Sequence, residues 1–440
     1  MSELTLVSCM FGGLLLLIFA GFHIFVALGL VTIAGVWAFS GSFDLAMTLL
    51  STTLIEALRE YVFAVIPLFV LMGEFLARSG AAKDLYRVMN KAFRRLPGRL
   101  AVATVAGNTV FAAAVGVSIA SAATFTRIAY PEMKQQNYND SISLGCIAGS
   151  ACLGMLIPPS TLLIIYGMLT EMSIGKLFAA ALIPGLALAT LFALYVVGLA
   201  IFRPEWLGET KGNDQVQYNE EPLGRVEYIG GLGTICVIFL VLGGIWFGWF
   251  TPTEAAGFGA LLGFILALIK GLKKDQIVES ILHTGRVSAP LLLLLIFGSF
   301  YGRLLAFGGV IDLVDGVIGG WGLSPGMLLV VMVFVWFIMG MFIDSNSIIL
   351  LSIPIFAPIA IAAGYEPLQF AIIAILAIEA GILTPPLGLC VYTVKAALND
   401  PAISLGQIFK GAAPYWIMLL ILIILLVKVP MVTNYLPSIM

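Results

Sequence analysis

Gly154-Met-Leu-Ile-Pro158-Pro159-Ser160 and Gly381-Ile-Leu-Thr-Pro385-Pro386-Leu387-Gly388 are the two stretches that decide how this chain folds. Each sets two adjacent prolines inside an apolar run. Proline has no amide hydrogen and disfavours helical geometry in the residue before it, so two in a row stop a helix. In hydrocarbon, backbone groups freed in this way are tolerated only where protein or a water-lined cavity takes them up. Both stretches therefore read as helices broken inside a membrane. They stand 227 residues apart in a chain of 440, so the break recurs at about half the length.

The surrounding composition agrees. Hydrophobic residues make up 61%, charged residues 10%, and mean hydropathy is +1.08, whereas a soluble domain is about half apolar and roughly a quarter charged. Leu4 to Ala20, Phe22 to Phe39, Leu177 to Phe202, Ile229 to Phe250 and Pro414 to Val427 are each uncharged enough to cross about 30 Å of hydrocarbon as a helix. Leu4 to Ala20 lacks a basic flank and a clear cleavage site and is expected to be a retained helix. The expected fold class is an all-α polytopic membrane protein.

The same inventory excludes other chemistries. A net charge of −2 without a basic patch leaves nucleic acid without a footprint. Cys9, Cys146, Cys152, Cys236 and Cys390 sit in apolar runs without CxxC spacing, as inert buried thiols do. His23 and His283 are the only histidines, and neither HExxH nor GxxxxGK[ST] occurs. No catalytic, cofactor-binding or nucleotide site is expected, so the chain is read as a non-enzyme.

The neighbourhoods of the two breaks match. Each follows a weakly charged stretch with a glycine near its midpoint, Leu100 to Thr126 around Gly116 and Met327 to Gly364 around Gly340, and each has a shorter polar segment upstream, Ala81 to Pro97 and Gly309 to Pro325. Two repeats follow, 1–202 and 229–440, joined by a cytoplasmic linker, 203–228. Within them the expectation is re-entrant hairpins at 99–131 and 326–363 and broken helices at 141–169 and 366–395. Lys and Arg positions decide between hairpins and single spans. With hairpins, 18 of these residues fall on the cytoplasmic side and 4 outside; with single spans the division is 11 to 11. The positive-inside rule favours hairpins, which makes the repeats inverted and places both chain ends outside. Phe43 to Arg59 and Lys273 to Arg286 mix polar and apolar residues and are expected to lie as helices in the interface.

A helix broken at mid-membrane offers carbonyls at the end of one half and amides at the start of the next, the groups that strip a small cation or hold a carboxylate. Opposite each break, a hairpin tip would add a second set: Val115-Gly116-Val117-Ser118 and Gly340-Met-Phe-Ile-Asp344-Ser345. Carboxylates are too few there for a divalent ion, whereas sodium is served by backbone oxygens. Intramembrane charge needs a reason. Asp344 reads either as an ion or substrate contact or as the cap of the helix starting at Ser345; Glu379 reads as a partner for freed backbone amides ahead of an ion or substrate contact, and Glu74 as a structural group.

At these residues the sequence resembles the large M subunit of tripartite ATP-independent periplasmic (TRAP) transporters, within the ion transporter superfamily. The likeness runs through Ile66-Pro67-Leu68-Phe69 with Gly73, Ser79-Gly80, Pro131-Glu132-Met133, Gly154 to Ser160, Tyr166-Gly167, Pro184-Gly185, Pro252-Thr253-Glu254-Ala255-Ala256, Pro354 with Pro358, and Gly381 to Gly388. It implies an elevator-type transporter of the bacterial inner membrane, sodium-coupled uptake of an organic acid, a small four-helix membrane partner (Q subunit) and a periplasmic substrate-binding protein (P subunit). It further implies one sodium site at Gly116, Ser118, Gly154, Ile157 and Pro159, a second at Gly340, Gly381, Thr384 and Leu387, and substrate contacts at Ser118, Pro159, Asp344, Ser345 and Pro386. Where family members often carry Ser-Gly-Ser-Ser at the first tip, this chain has Val115-Gly116-Val117-Ser118, with fewer hydroxyls. A self-sufficient sodium/carboxylate carrier of the same superfamily is the alternative reading.

Overall fold

The computed structural model describes residues 3–208, 222–310, 313–314, 316, 322–398 and 400–440. The described residues are helical almost throughout, and eight of the helices are long and apolar enough to cross a membrane. Large apolar side chains such as Phe202, Phe239, Phe247 and Trp249 face outward, as a lipid-immersed surface requires. About half of the linker and about half of the Gly309 to Pro325 segment lie outside the described residues.

One group of helices frames the molecule: α1 (Glu3–Phe19), α2 (Ile24–Ser40), α3 (Phe43–Arg59), α4 (Val65–Arg78), α12 (Arg225–Trp246), α13 (Pro252–Ile269) and α14 (Lys274–Phe307). Here α4 packs on α13 and α14, and α14 on α2. An arm, α5 (Ala81–Ala92), is fastened to this frame by ion pairs from Arg87 to Glu227 and from Lys270 to Asp84. One expectation is corrected here. Lys273 to Arg286 is no separate interfacial helix but runs unbroken into the following span as the 34-residue α14. Its counterpart α3 does stop, at the extended Glu60. Pro290 inside α14 does not break that helix, whereas the extended Glu60 ends α3 without any proline.

The other group contains two helical hairpins and two interrupted helices. The first hairpin is α6 (Arg99–Val115) and α7 (Ser118–Gln135). Gly116 ends α6 in a left-handed conformation, φ +68°, with its amide donating to the Ala112 carbonyl at 2.7 Å; that geometry suits glycine, which has no β-carbon to clash. Small residues let the two arms approach, and Asn108 on α6 bonds Ser121 on α7. The second hairpin is α15 (Pro325–Gly340) and α16 (Ser345–Ala362), closed by the Trp336 indole donating to Ser352 Oγ at 2.7 Å. The first interrupted helix runs through α8 (Asp140–Ala151), α9 (Leu153–Leu156) and α10 (Thr161–Thr170); the second runs through α17 (Pro367–Gly381) and α18 (Leu389–Leu398). Both stop short of the Pro-Pro pairs and restart beyond them, and both Pro-Pro bonds are cis. The long helices α11 (Ile174–Phe202) and α19 (Leu405–Lys428) and the short α20 (Met431–Ser438) complete the chain.

The two halves share a register. Ser118–Gln135 and Ser345–Ala362 begin and end 227 residues apart, as do the starts Asp140 and Pro367. Their directions are opposed. Helix α8 lies parallel to α19, since Ser141 Oγ donates to the Gln407 carbonyl, Gly145 meets Gly411 and Gly149 meets Tyr415. Helix α17 lies antiparallel to it: Gln369 Nε2 donates to the Leu426 carbonyl at 2.7 Å, and Gly388 at the far end meets Phe409. The packing is also exchanged between halves. Each first segment rests on its own hairpin, α8 on both arms, α9 mainly on α6 and α17 mainly on α15, whereas each second segment rests on the second arm of the other hairpin, α10 on α16 and α18 on α7.

Candidate functional site

The hairpin tips and the breaks converge at the centre of the second group. At the first tip, the Gly116 carbonyl accepts from Thr161 Oγ1 at 2.8 Å and from the Thr161 amide at 3.4 Å, which ties the tip to the start of α10. Gly154 faces α6 so closely that a β-carbon there would lie 2.6 Å from the Ala112 β-carbon and 2.9 Å from its carbonyl oxygen. The Pro159 carbonyl oxygen stands 3.2 Å from where a β-carbon on Gly116 would sit. Ile157 ends α9, its amide donating to the Leu153 carbonyl at 2.7 Å. Ser160 caps α10 by accepting from the Leu163 amide at 3.4 Å. Gly116, Ser118, Gly154, Ile157 and Pro159 are thus brought together, and all are buried.

The second break has the same ingredients in a looser setting. Gly340 and Gly381 bring α15 and α17 into backbone contact: a β-carbon on Gly340 would lie 2.7 Å from the Gly381 Cα, and one on Gly381 would lie 2.6 Å from the Phe337 carbonyl oxygen. The Gly381 carbonyl accepts from the Thr384 amide at 3.0 Å and from Thr384 Oγ1 at 2.7 Å. Gly340, Gly381 and Thr384 are buried together, whereas Pro385, Pro386 and Leu387 are exposed, Leu387 to 40%. Asp344 caps α16, accepting from the Ser347 amide at 3.1 Å and from the Ser347 hydroxyl. Of the two sequence readings for Asp344, capping is the one that the hydrogen bonds display.

Glu379 corrects a second expectation. It does not bond freed backbone amides. Its Oε2 accepts from Ser118 Oγ at 2.8 Å and its Oε1 accepts from Ser345 Oγ at 2.8 Å, with the residue 1% exposed. Ser118 and Ser345 are the first residues of α7 and α16, so one carboxylate faces the N-terminal ends of two 18-residue helices, where unpaired amides and the helix dipole favour negative charge. Glu74 has the structural setting expected of it: Arg78 Nε donates to its Oε2 at 3.0 Å, and His283 Nδ1 lies 2.8 Å from its Oε1.

Sequence reasoning overlooked Thr161 and Asn346. Thr161 was inseparable in sequence from the helix it begins. Asn346 Oδ1, beside the second tip, is buried without a hydrogen-bond partner, and its only sequence signal was a polar residue between two serines.

A transported sodium ion would be cargo here rather than a resident group, and the residues present would fit one: neutral carbonyl and hydroxyl oxygens, with the unpaired Asn346 acceptor at one tip. The Gly116 and Gly381 carbonyls already accept two bonds each, which fills both lone pairs. An ion joining either one would have to displace a threonine amide or hydroxyl proton, and Thr161 and Thr384 could then turn a hydroxyl oxygen toward it.

Residues 11–432 match the family described as tripartite ATP-independent periplasmic transporter, DctM component. The chain is 32% identical over 391 residues to the C4-dicarboxylate TRAP transporter large permease DctM of Pseudomonas aeruginosa, covering 88% of this chain and 89% of that protein. It is 30% identical over 426 residues to the ectoine TRAP transporter large permease TeaC of Halomonas elongata, covering 96% of both. Among solved structures, the YdaH transporter of Alcanivorax borkumensis shares the fold with a TM-score of 0.62 at 13% identity, over 87% of this chain and 88% of that one. These relatives are permeases, not enzymes. The chain therefore belongs to the DctM family, the large membrane permease component of tripartite ATP-independent periplasmic transporters.

Proposed function

We propose that this permease takes up an organic acid with sodium as the driving ion, by an elevator movement of the hairpin group against the helical frame. The observation that carries this reading is the meeting of both hairpin tips and both breaks around Glu379, in two halves of matched register and opposed direction. Inverted repeats of this kind allow inward and outward states to be near mirror images across the membrane plane. Sodium would be held at Gly116, Ser118, Gly154, Ile157 and Pro159 and at Gly340, Gly381, Thr384 and Leu387, and the acid would approach the N-terminal ends of α7 and α16 from the side of Asp344, Pro159 and Pro386, outside the Ser118 and Ser345 hydroxyls that Glu379 holds. Bound sodium supplies the positive charge that lets an anion enter a low-dielectric centre. A periplasmic binding protein delivers the acid and a small membrane subunit braces the frame.

In this reading the charge distribution puts α5, the linker and the start of α14 on the cytoplasmic side and both chain ends outside. Cysteines placed at Lys91 and Lys273 are expected to be shielded from impermeant external thiol reagents in intact cells; labelling of either from outside rejects the orientation. The decisive experiment is acid uptake into proteoliposomes holding the permease, the small subunit and the binding protein, with and without an inward sodium gradient. Uptake that ignores sodium rejects the coupling, and strong uptake without the binding protein rejects the tripartite mode.

A further inference from the structure

Glu379 is not among the residues assigned to either ion site, yet its carboxylate hydrogen-bonds both hairpins. Its partners Ser118 and Ser345 stand 227 residues apart, equivalent positions in the two halves. Its own equivalent is Cys152, and the Cys152 thiol lies 3.8 Å from the Glu379 carbonyl oxygen. Residues that are equivalent and adjacent lie where the two halves meet face to face. Two carboxylates in that place would repel at short range in a dry interior, so one half contributes the acid and the other a neutral thiol. A single carboxylate there has one oxygen for each tip.

We propose that Glu379 is a positioning residue that clasps the two tips together, so that ordering of one tip by its ion orders the other. This rests on the sodium-coupled reading for its ions but not for the clasp itself. Both serines are buried, at 0% and 5% exposure, so cutting the clasp strands two hydroxyls that have no water to turn to. Glutamine keeps the clasp, because its amide both accepts and donates; alanine removes it.

The test is amide hydrogen exchange on the purified complex, read at residues 114–120 and 341–347, for wild type, Glu379→Gln, Glu379→Ala and Ser118→Ala. Glu379→Ala is expected to speed exchange at both tips by about fivefold or more, with Glu379→Gln within about twofold of wild type. Ser118→Ala is expected to speed exchange at the second tip, which it does not belong to; this arm decides the matter if Glu379→Ala fails to fold. In equilibrium sodium binding to the purified complex, the Hill coefficient should exceed 1 in wild type and fall to about 1 in Ser345→Ala, which is in neither ion site, because uncoupled sites bind independently. Loosening confined to the mutated tip, no loosening, or an unchanged Hill coefficient overturns the clasp. Wild-type uptake without any sodium dependence would overturn the sodium reading instead, and the exchange result would still judge the clasp.

Discussion

The two breaks are built from the same parts but meet different surroundings. Residues 151 to 160 are buried throughout, while Pro385, Pro386 and Leu387 are exposed just beyond the buried Gly381 to Thr384. Two equivalent sites with unequal access are what alternating access requires of any one state. The comparison locates the difference past the prolines: both breaks hold their glycine in backbone contact with a hairpin arm, and only the second lets the following turn reach open space.

The largest expected effect tests whether the two breaks do equal work. Gly381→Ala puts a β-carbon 2.6 Å from the Phe337 carbonyl and Gly154→Ala puts one 2.6 Å from the Ala112 β-carbon, and such intrusions shift backbone by enough to spoil a small cation's coordination. Each variant is expected to lose about tenfold or more in sodium-driven uptake while inserting normally, against a loss within about twofold for Asp344→Asn, since asparagine caps a helix about as well as aspartate. Normal sodium dependence in Gly381→Ala would remove the second break from the ion path.

The next effect concerns movement. A β-carbon on Gly302 of α14 would lie 3.9 Å from the Pro354 β-carbon of α16, an ordinary contact, so a crosslink between cysteines at these positions joins frame to hairpin. It is expected to trap transport reversibly, whereas a link between Asn108 and Ser121, inside one hairpin, is expected to leave uptake within about twofold of its reduced control. The reverse pattern rejects a rigid elevator.

Access itself can be measured. A cysteine at Leu387 is expected to react with a soluble thiol reagent far faster than one at Ser160, and sodium with substrate should narrow the ratio by moving the group. Equal rates under all conditions would show that the two breaks do not differ in access.

A smaller effect sharpens it. Exchanging the pair, Cys152→Glu with Glu379→Cys, returns a single carboxylate to the contact between halves and is expected to restore about half of the uptake lost in Glu379→Ala. No restoration would show that the halves are not interchangeable there. Smallest of all, Thr161→Val removes a hydroxyl from the Gly116 carbonyl at the first tip and Thr384→Val one from the Gly381 carbonyl at the second break, each expected to lower sodium affinity by about fivefold, or about 1 kcal/mol.

By itself the sequence determined the features that local chemistry dictates. Adjacent prolines stop a helix wherever they occur, so Pro158-Pro159 and Pro385-Pro386 announced the breaks, and the apolar runs announced a membrane solvent. Gly116 next to Val117 and Ser118 announced a tight turn, because few residues but glycine take a left-handed conformation at a helix end. Whether a short polar-apolar stretch stops or continues was not legible, since helix continuity depends on packing: α3 ends at Glu60 while α14 runs on. Only the tertiary structure decided what Glu379 bonds, because its partners lie 261 and 34 residues away and come from two different hairpins. It also decided which break is open. Two nearly equivalent sites differ in access through the position of whole helices, and no residue at either break encodes that position.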